Sequence, residues 1–326
     1  MKAEALPEEL AILEEIWRSQ AAVPGPPVDY TRRELPAPPA PGEMTAETAG
    51  ELVREALGWP AWTVFFAKPP QAVLAAGQLA RQAGCSRGVM WIAPGTGSPL
   101  VSGEGEAGLA VLRADWAPAA PTMLAAQEEV RERGMLLMVD ESLTGHRLAP
   151  GGAVEAFGLE PDLVLYTPAL PSRGPLALLA GQGAPPPAPA AVPGPRELAE
   201  FAGIWLWARE RDLPGQLAML SRNFQVGLEY FKNLLSLDRE VYLMPGNPRM
   251  PRIEGQRAWA FMELAREEGL NLSPQLLFDP KLDEAAARSL VWPRLARALA
   301  RLKVLPVGEM APLGWKDAGP SRCGQA

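Results

Sequence analysis

The chain is poor in the residues that build most catalytic centres. Its 326 residues hold one histidine, His146, and two cysteines, Cys85 and Cys323. A lone histidine excludes a His-rich metal centre and argues against a Ser-His-Asp triad. Two cysteines far apart in sequence fit a reduced, metal-free chain. No lysine lies between Lys68 and Lys232, and no threonine follows Thr167. No apolar run approaches the ~18 residues needed to span a bilayer. No basic block appears, and the net charge is −7, so nucleic acid is not an expected partner. The N-terminus, MKAEALPEELAILEEIW, is acidic and amphipathic rather than signal-like, which leads us to expect a cytoplasmic protein.

What is present is an ordinary globular composition, 48% hydrophobic and 21% charged, with 36 prolines. Length allows two domains. The most informative stretch is Met135–Leu170. It opens with an apolar run, Met135–Val139, too short for a typical helix, which reads as a strand buried on both faces. The run stops at Asp140-Glu141, the position where open α/β sheets place ligands. From pattern alone, a solvated strand end leading into a helix cap is the simpler reading. Leu163–Tyr166 reads as the neighbouring strand.

Three motifs then follow in register over about thirty residues. They are Asp140-Glu141-Ser142-Leu143-Thr144-Gly145-His146-Arg147, then Gly151-Gly152-Ala153, then Gly158-Leu159-Glu160-Pro161-Asp162-Leu163. The series resembles the class III aminotransferases that use pyridoxal phosphate, and among them the glutamate-1-semialdehyde aminomutases, which carry DEVxTGFR, GGA and GVxPDL at these spacings. The resemblance implies a shortened aminotransferase fold of type I. That is an α/β architecture with a mainly parallel central sheet flanked by helices, plus a smaller α+β C-terminal domain. The expected division is an N-terminal helix and Pro-rich connector over 1–44, the large domain over 45–183, a Pro-rich linker over 184–196, and helices with the small domain over 197–326.

The other readings follow chain order. Leu10–Arg18 is an expected helix and 21–42 an extended connector. Thr45–Leu57 reads as a helix capped by Thr48 or Thr45. Trp62–Phe66 reads as a strand, Gln71–Ala83 as a helix started by Pro69-Pro70, and Gly88–Ile92 as a strand. Thr96–Gly108 is Gly-rich but matches neither a P-loop nor a dinucleotide fingerprint. Leu109–Leu112 is a strand, Pro121–Arg133 a helix and Leu176–Ala180 a strand. Helices follow over Glu197–Glu210, Leu217–Leu235, Gly255–Glu268 and Asp283–Leu302. Short strands are read at Val241–Leu243, Arg252-Ile253 and Leu276–Phe278, and a loose tail at Met310–Ala326.

Set beside the family, the chain departs at three of the coenzyme contacts. The family's Schiff-base lysine aligns with Pro168. Its phosphate turn, Ser-Gly-Thr, aligns with Ala67-Lys68-Pro69-Pro70, where two prolines remove two N–H donors. Its threonine that reaches the neighbouring subunit's phosphate has no counterpart. Of the resemblance-implied coenzyme residues only Asp140, the ring-nitrogen partner, survives, kept for hydrogen bonding at the strand end or as a relic, with Glu141, Thr144, Arg147 and Gly151-Gly152 holding the turn, while Lys68 offers a side chain that could hold an anion. His146 replaces the family's phenylalanine and reads as a packing substitution. The expectation is a degenerate, non-catalytic member with no catalytic residues, no metal and no cofactor. It would act as a homodimer or as the partner of an active paralogue. Two alternatives stay open. One is a working pyridoxal-phosphate aminotransferase or aminomutase that uses another lysine such as Lys68. The other is a small-molecule binder using the vacated cleft.

Overall fold

The computed structural model describes residues 26–31, 42–85, 88–92, 107–114, 120–167, 176–244, 249–280 and 282–306. The helix expected over Leu10–Arg18, most of the Pro-rich connector, the glycine-rich loop before Ala107, Pro168 and the C-terminal tail lie outside the described residues. Among the described residues no helix is long and apolar enough to cross a membrane.

The central sheet has six strands. They are β2 (Trp62–Phe66), β3 (Gly88–Ile92), β4 (Ala107–Arg113), β5 (Leu136–Asp140), β6 (Leu163–Tyr166) and β7 (Ala177–Gly181), in spatial order β2-β7-β6-β5-β4-β3. From β3 to β6 every neighbour is parallel, and β7 runs antiparallel to both β6 and β2. β5 is buried on both faces, as its unbroken apolar run requires: Leu137 and Val139 enter one core layer and Met138 the other.

Helices cover both faces. The four helices on one side are α1 (Ala46–Leu57), α3 (Ala120–Glu132), α4 (Gly152–Phe157) and α5 (Pro195–Glu210). They contribute Val53, Met123, Val154 and Phe201 to a shared core. On the other side α2 (Pro69–Gln82) lays Ala72, Ala75, Ala76 and Leu79 on Met138, Val111 and Leu163. The handedness of parallel crossovers dictates this split. β3→β4→β5→β6 steps in one direction across the sheet, and α2 carries the chain back from β2 to the far edge. The cap of α1 is Thr45, which accepts the Thr48 N–H at 3.1 Å.

A second core is built by α6 (Leu213–Leu234), α7 (Ala258–Glu267) and α8 (Glu284–Val304), a hairpin of β8 (Tyr242–Met244) with β9 (Arg252–Glu254), and a two-stranded parallel sheet of β1 (Val28–Tyr30) with β10 (Leu270–Leu272). α6 and α8 approach closely because residue 227 is glycine. A Cβ there would lie 2.7 Å from Trp292 Nε1, whose N–H donates to the Asn223 carbonyl at 3.1 Å. The expected strand at Leu276–Phe278 is not a strand. Those residues are buried, but their amides are met irregularly, Leu276 N–H by Pro251 O and Leu277 N–H by Tyr30 O. The strand lies instead at Leu270–Leu272, where β1 supplies a ladder.

Phe224 sits at the centre of this core, 1% exposed, with ring centroids 5.8 Å from Tyr30 and 6.0 Å from Phe278, both edge-on. Phe224→Ala should lower unfolding free energy by about 3–5 kcal/mol. Val226→Ala, on the exposed side of the same helix, should change it by less than about 0.5 kcal/mol. Urea unfolding of the two variants checks the contrast.

Candidate functional site

Asp140 and Glu141 leave the carboxyl end of β5 in opposite ways. Asp140 is half-buried. Its Oδ1 accepts the Ser142 backbone N–H at 2.9 Å and the Ser142 hydroxyl, an Asx turn that starts the chain away from the sheet. In register beside it stand Arg113, the last residue of β4, and Leu165 of β6.

Glu141 is not solvated. It is 2% exposed. Its Oε1 accepts the Val154 N–H at 2.8 Å and its Oε2 the Thr144 hydroxyl, so the carboxyl holds the first turn of α4 against the strand end. Gly152 makes room: it has φ +75°, and a Cβ there would lie 2.3 Å from Glu141 Oε2. Only glycine suits both the backbone conformation and the space. Burial pushes the Glu141 carboxyl up to about 7, against the pull of these donors.

The rest of the turn is equally enclosed. His146 has φ +61° and is 4% exposed. Its Nδ1 donates to Pro150 O at 3.0 Å, which leaves Nε2 without a proton in the neutral ring. The ring meets Trp205 edge-on at 4.3 Å and stacks towards Tyr166 at 6.3 Å. The Tyr166 hydroxyl donates to Gly151 O at 2.9 Å. Burial pulls the His146 imidazole down to about 4. Arg147, 2% exposed, donates to Phe278 O at 3.4 Å, and Arg249 donates to Leu148 O. These bonds tie the sheet edge to the second core. Burial lowers the Arg147 guanidinium to about 10 while Asp279 favours its charge.

Lys68 is exposed and occupies the N-cap of α2 with no side-chain cap bond. β2 and β5 are separated by β7 and β6, three strand spacings or about 14 Å. Lys68 and Asp140 therefore share the carboxyl edge of the sheet but are not neighbours. Sequence reasoning missed Arg113 and Trp205. Arg113 was legible in principle, because it ends an apolar strand just as Asp140 does. Trp205 was not, since its contact with His146 is set by how α5 packs.

The described residues do not fit pyridoxal phosphate. A helix N-terminus holds a phosphate through free amides in its first turn. In α2 the first two positions are Pro69 and Pro70, and the Gln71 N–H is already donated to Lys68 O at 3.1 Å. The Asp140 carboxylate is turned to Ser142, with an arginine in the adjacent register position. Lys232, the next lysine along the chain, is buried in α6 and paired with Glu229 at 2.6 Å. Among the described residues no group of three His, Cys, Asp or Glu could hold a metal ion.

The two buried titrating groups give opposite pH slopes. Glu141 has a folded value of about 7 against 4.5. Its contribution is complete below 4.5 and is lost as pH rises to 7. His146 has a folded value of about 4 against 6.5. Its contribution is complete above 6.5 and is lost as pH falls to 4. Each amounts to roughly 3 kcal/mol, so between pH 4.5 and 6.5 they offset each other. Glu141→Gln should lose stability on acidification through this window, and His146→Phe should gain it. Unfolding free energies measured from pH 4.5 to 7 test the assignment, and parallel profiles for both variants would refute it.

No family model matches the chain. A stretch of 59 residues is 51% identical to a glutamate-1-semialdehyde 2,1-aminomutase of Thermus thermophilus, covering 18% of this chain and 14% of that enzyme. A 52-residue stretch is 46% identical to the enzyme of that name from Methanothermobacter thermautotrophicus, covering 16% of this chain and 12% of that one. The match thus spans about one seventh of the length of these curated relatives. Solved structures match nearly end to end at low identity. The ornithine aminotransferase of Toxoplasma gondii superposes with a TM-score of 0.64 at 13% identity, over 92% of this chain and 84% of that one. The acetylornithine aminotransferase of Elizabethkingia anophelis gives 0.61 at 15%, over 88% and 84%. The chain has the fold of the pyridoxal-phosphate-dependent class III aminotransferases, and one stretch of it is similar to the glutamate-1-semialdehyde 2,1-aminomutases.

Proposed function

We propose that the chain is a non-catalytic relative of the class III aminotransferases. It keeps their fold, holds no coenzyme, and works in the cytoplasm as a structural or regulatory subunit of a dimer, with itself or with an active paralogue. The observation that carries this reading is the start of α2. Its first three positions offer no free N–H to a phosphate, and a phosphate-bearing coenzyme without that seat loses its main anchor. The sequence adds that no lysine lies between Lys68 and Lys232 to form a Schiff base. The Asp140–Arg147 turn supports the same reading. Its polar groups are bonded to one another and to the second core, so their work is to hold the sheet edge in shape.

Purified protein mixed with one equivalent of pyridoxal phosphate should develop no aldimine band near ~420 nm. Borohydride treatment should leave no single modified lysine by mass spectrometry. A stoichiometric band that vanishes on reduction and maps to one residue, Lys68 above all, would establish a working coenzyme site and sink the proposal.

A further inference from the structure

The second core carries an apolar patch on its surface where α6 meets α8. Asn223, Val226, Gly227 and Tyr230 stand at i, i+3, i+4 and i+7, so they share one face of α6. Trp292 of α8 lies on the Asn223 and Gly227 side of that face, and it is half-buried. Val226 and Tyr230 flank it, 50% and 54% exposed. The patch is positive rather than neutral. The stripe of α6 that runs through Met219, Arg222, Val226, Tyr230 and Asn233 holds an arginine and no carboxylate. On the α8 side the Arg288 guanidinium stands 5.7 Å from the Trp292 ring centroid and pairs with Glu284 at the rim.

We infer that this patch is the docking site of the chain's own N-terminal segment, which lays the apolar side of Leu10–Arg18 along the α6/α8 groove. The segment starts from the right place. The described chain begins at Pro26, whose carbonyl accepts from the Arg294 guanidinium of α8 at 2.9 Å, and the Val28 N–H then donates to Gly269 O at 3.0 Å. Residues 1–25 therefore lead off from a fixed point on α8. Arg294 and Trp292 are two positions apart, about 3 Å along the helix axis and about 200° around it. Half the circumference of a helix roughly 10–12 Å across is about 16–19 Å. Ser19–Gly25 reaches up to about 24 Å, enough to bring Leu10–Arg18 round to the Trp292 side. The chemistry matches as well. Leu10, Leu13 and Trp17 fall at i, i+3 and i+7, the anchor spacing of a helix laid in a groove. Residues 1–25 hold five Glu against one Lys and one Arg, the complement of Arg222 and Arg288. A helix this short is marginal alone in water and gains most from an apolar face to rest on. Tethering at millimolar effective concentration lets a small contact suffice. The docking belongs to the second core and does not rest on the fate of the coenzyme.

The test uses the full chain. In a Cys85→Ser, Cys323→Ser background, Leu13→Cys combined with Val226→Cys should oxidise to a disulfide within one chain. Leu13→Cys combined with Leu124→Cys, exposed on α3, should not. In an equal mixture of nitrogen-14 and nitrogen-15 chains, each bridged peptide should carry a single label by mass spectrometry. Trypsin should cut after Arg18 at least about tenfold faster in Tyr230→Glu than in the wild type, with an unchanged circular dichroism spectrum, because the new carboxylate faces an acidic segment. Tyr230→Phe should cut as the wild type does. Equal cleavage of Tyr230→Glu and wild type, or equal trapping at positions 124 and 226, would overturn the inference. Bridged peptides of mixed label would overturn it too, by placing the segment on a neighbouring copy.

Discussion

The buried Glu141 carboxyl is the constraint on which the carboxyl edge of the sheet depends. It stands one residue past the end of β5 and binds forward to the Val154 N–H and the Thr144 hydroxyl, while its own N–H is held by Leu165 O at 2.8 Å. One side chain therefore fixes the strand end, the turn and the start of α4 together. Gly152 exists in its left-handed conformation to leave that carboxyl its space. Enclosure of this carboxyl penalises its charged form, which pushes it up to about 7. The turn it supports then presents His146 to Trp205 and Arg147 to Phe278, which couples the sheet to the second core.

If the chain holds no coenzyme, as proposed, this explains why its longest recognisable sequence signature persists all the same. The motif's carboxylate, threonine, arginine and paired glycines answer to one another and to the fold. Asp140, the residue that chemistry would need, is engaged in a local turn. The phosphate seat, by contrast, has no structural duty beyond starting a helix, and Pro69-Pro70 start a helix well. Selection on the fold alone would keep the first set and release the second.

Much of the fold was legible in the residues because its elements are punctuated locally. β5 was evident from five apolar residues ended by two acids, and the ends of α2 from Pro69 and Gly84; α1 was legible as a helix, with Thr45, the second of two candidate caps, the one that caps it. The limits were non-local. Leu276–Phe278 looks like a strand and is buried like one, but β1, whose ladder it would need, takes Leu270–Leu272 instead. The short helix α4 escaped notice because Gly151-Gly152 reads as a turn, and only the Glu141 carboxyl below it shows why a helix begins there. At the site, the sequence pointed to Asp140 and Lys68 but could not say that two strands stand between theirs. Pattern alone read Glu141 as solvated, since nothing local announces that a charged residue will be enclosed; only the family resemblance suggested that it holds the turn, as its bonds to Thr144 and Val154 do.

The central claim is that the fold remains while the seat for the coenzyme phosphate does not. Phosphorus NMR of pyridoxal phosphate added to the protein tests it most directly. A seated phosphate is shielded from bulk protons and its resonance ceases to titrate. The account predicts a sharp line that follows pH as in free solution, and a broadened line insensitive to pH would contradict it.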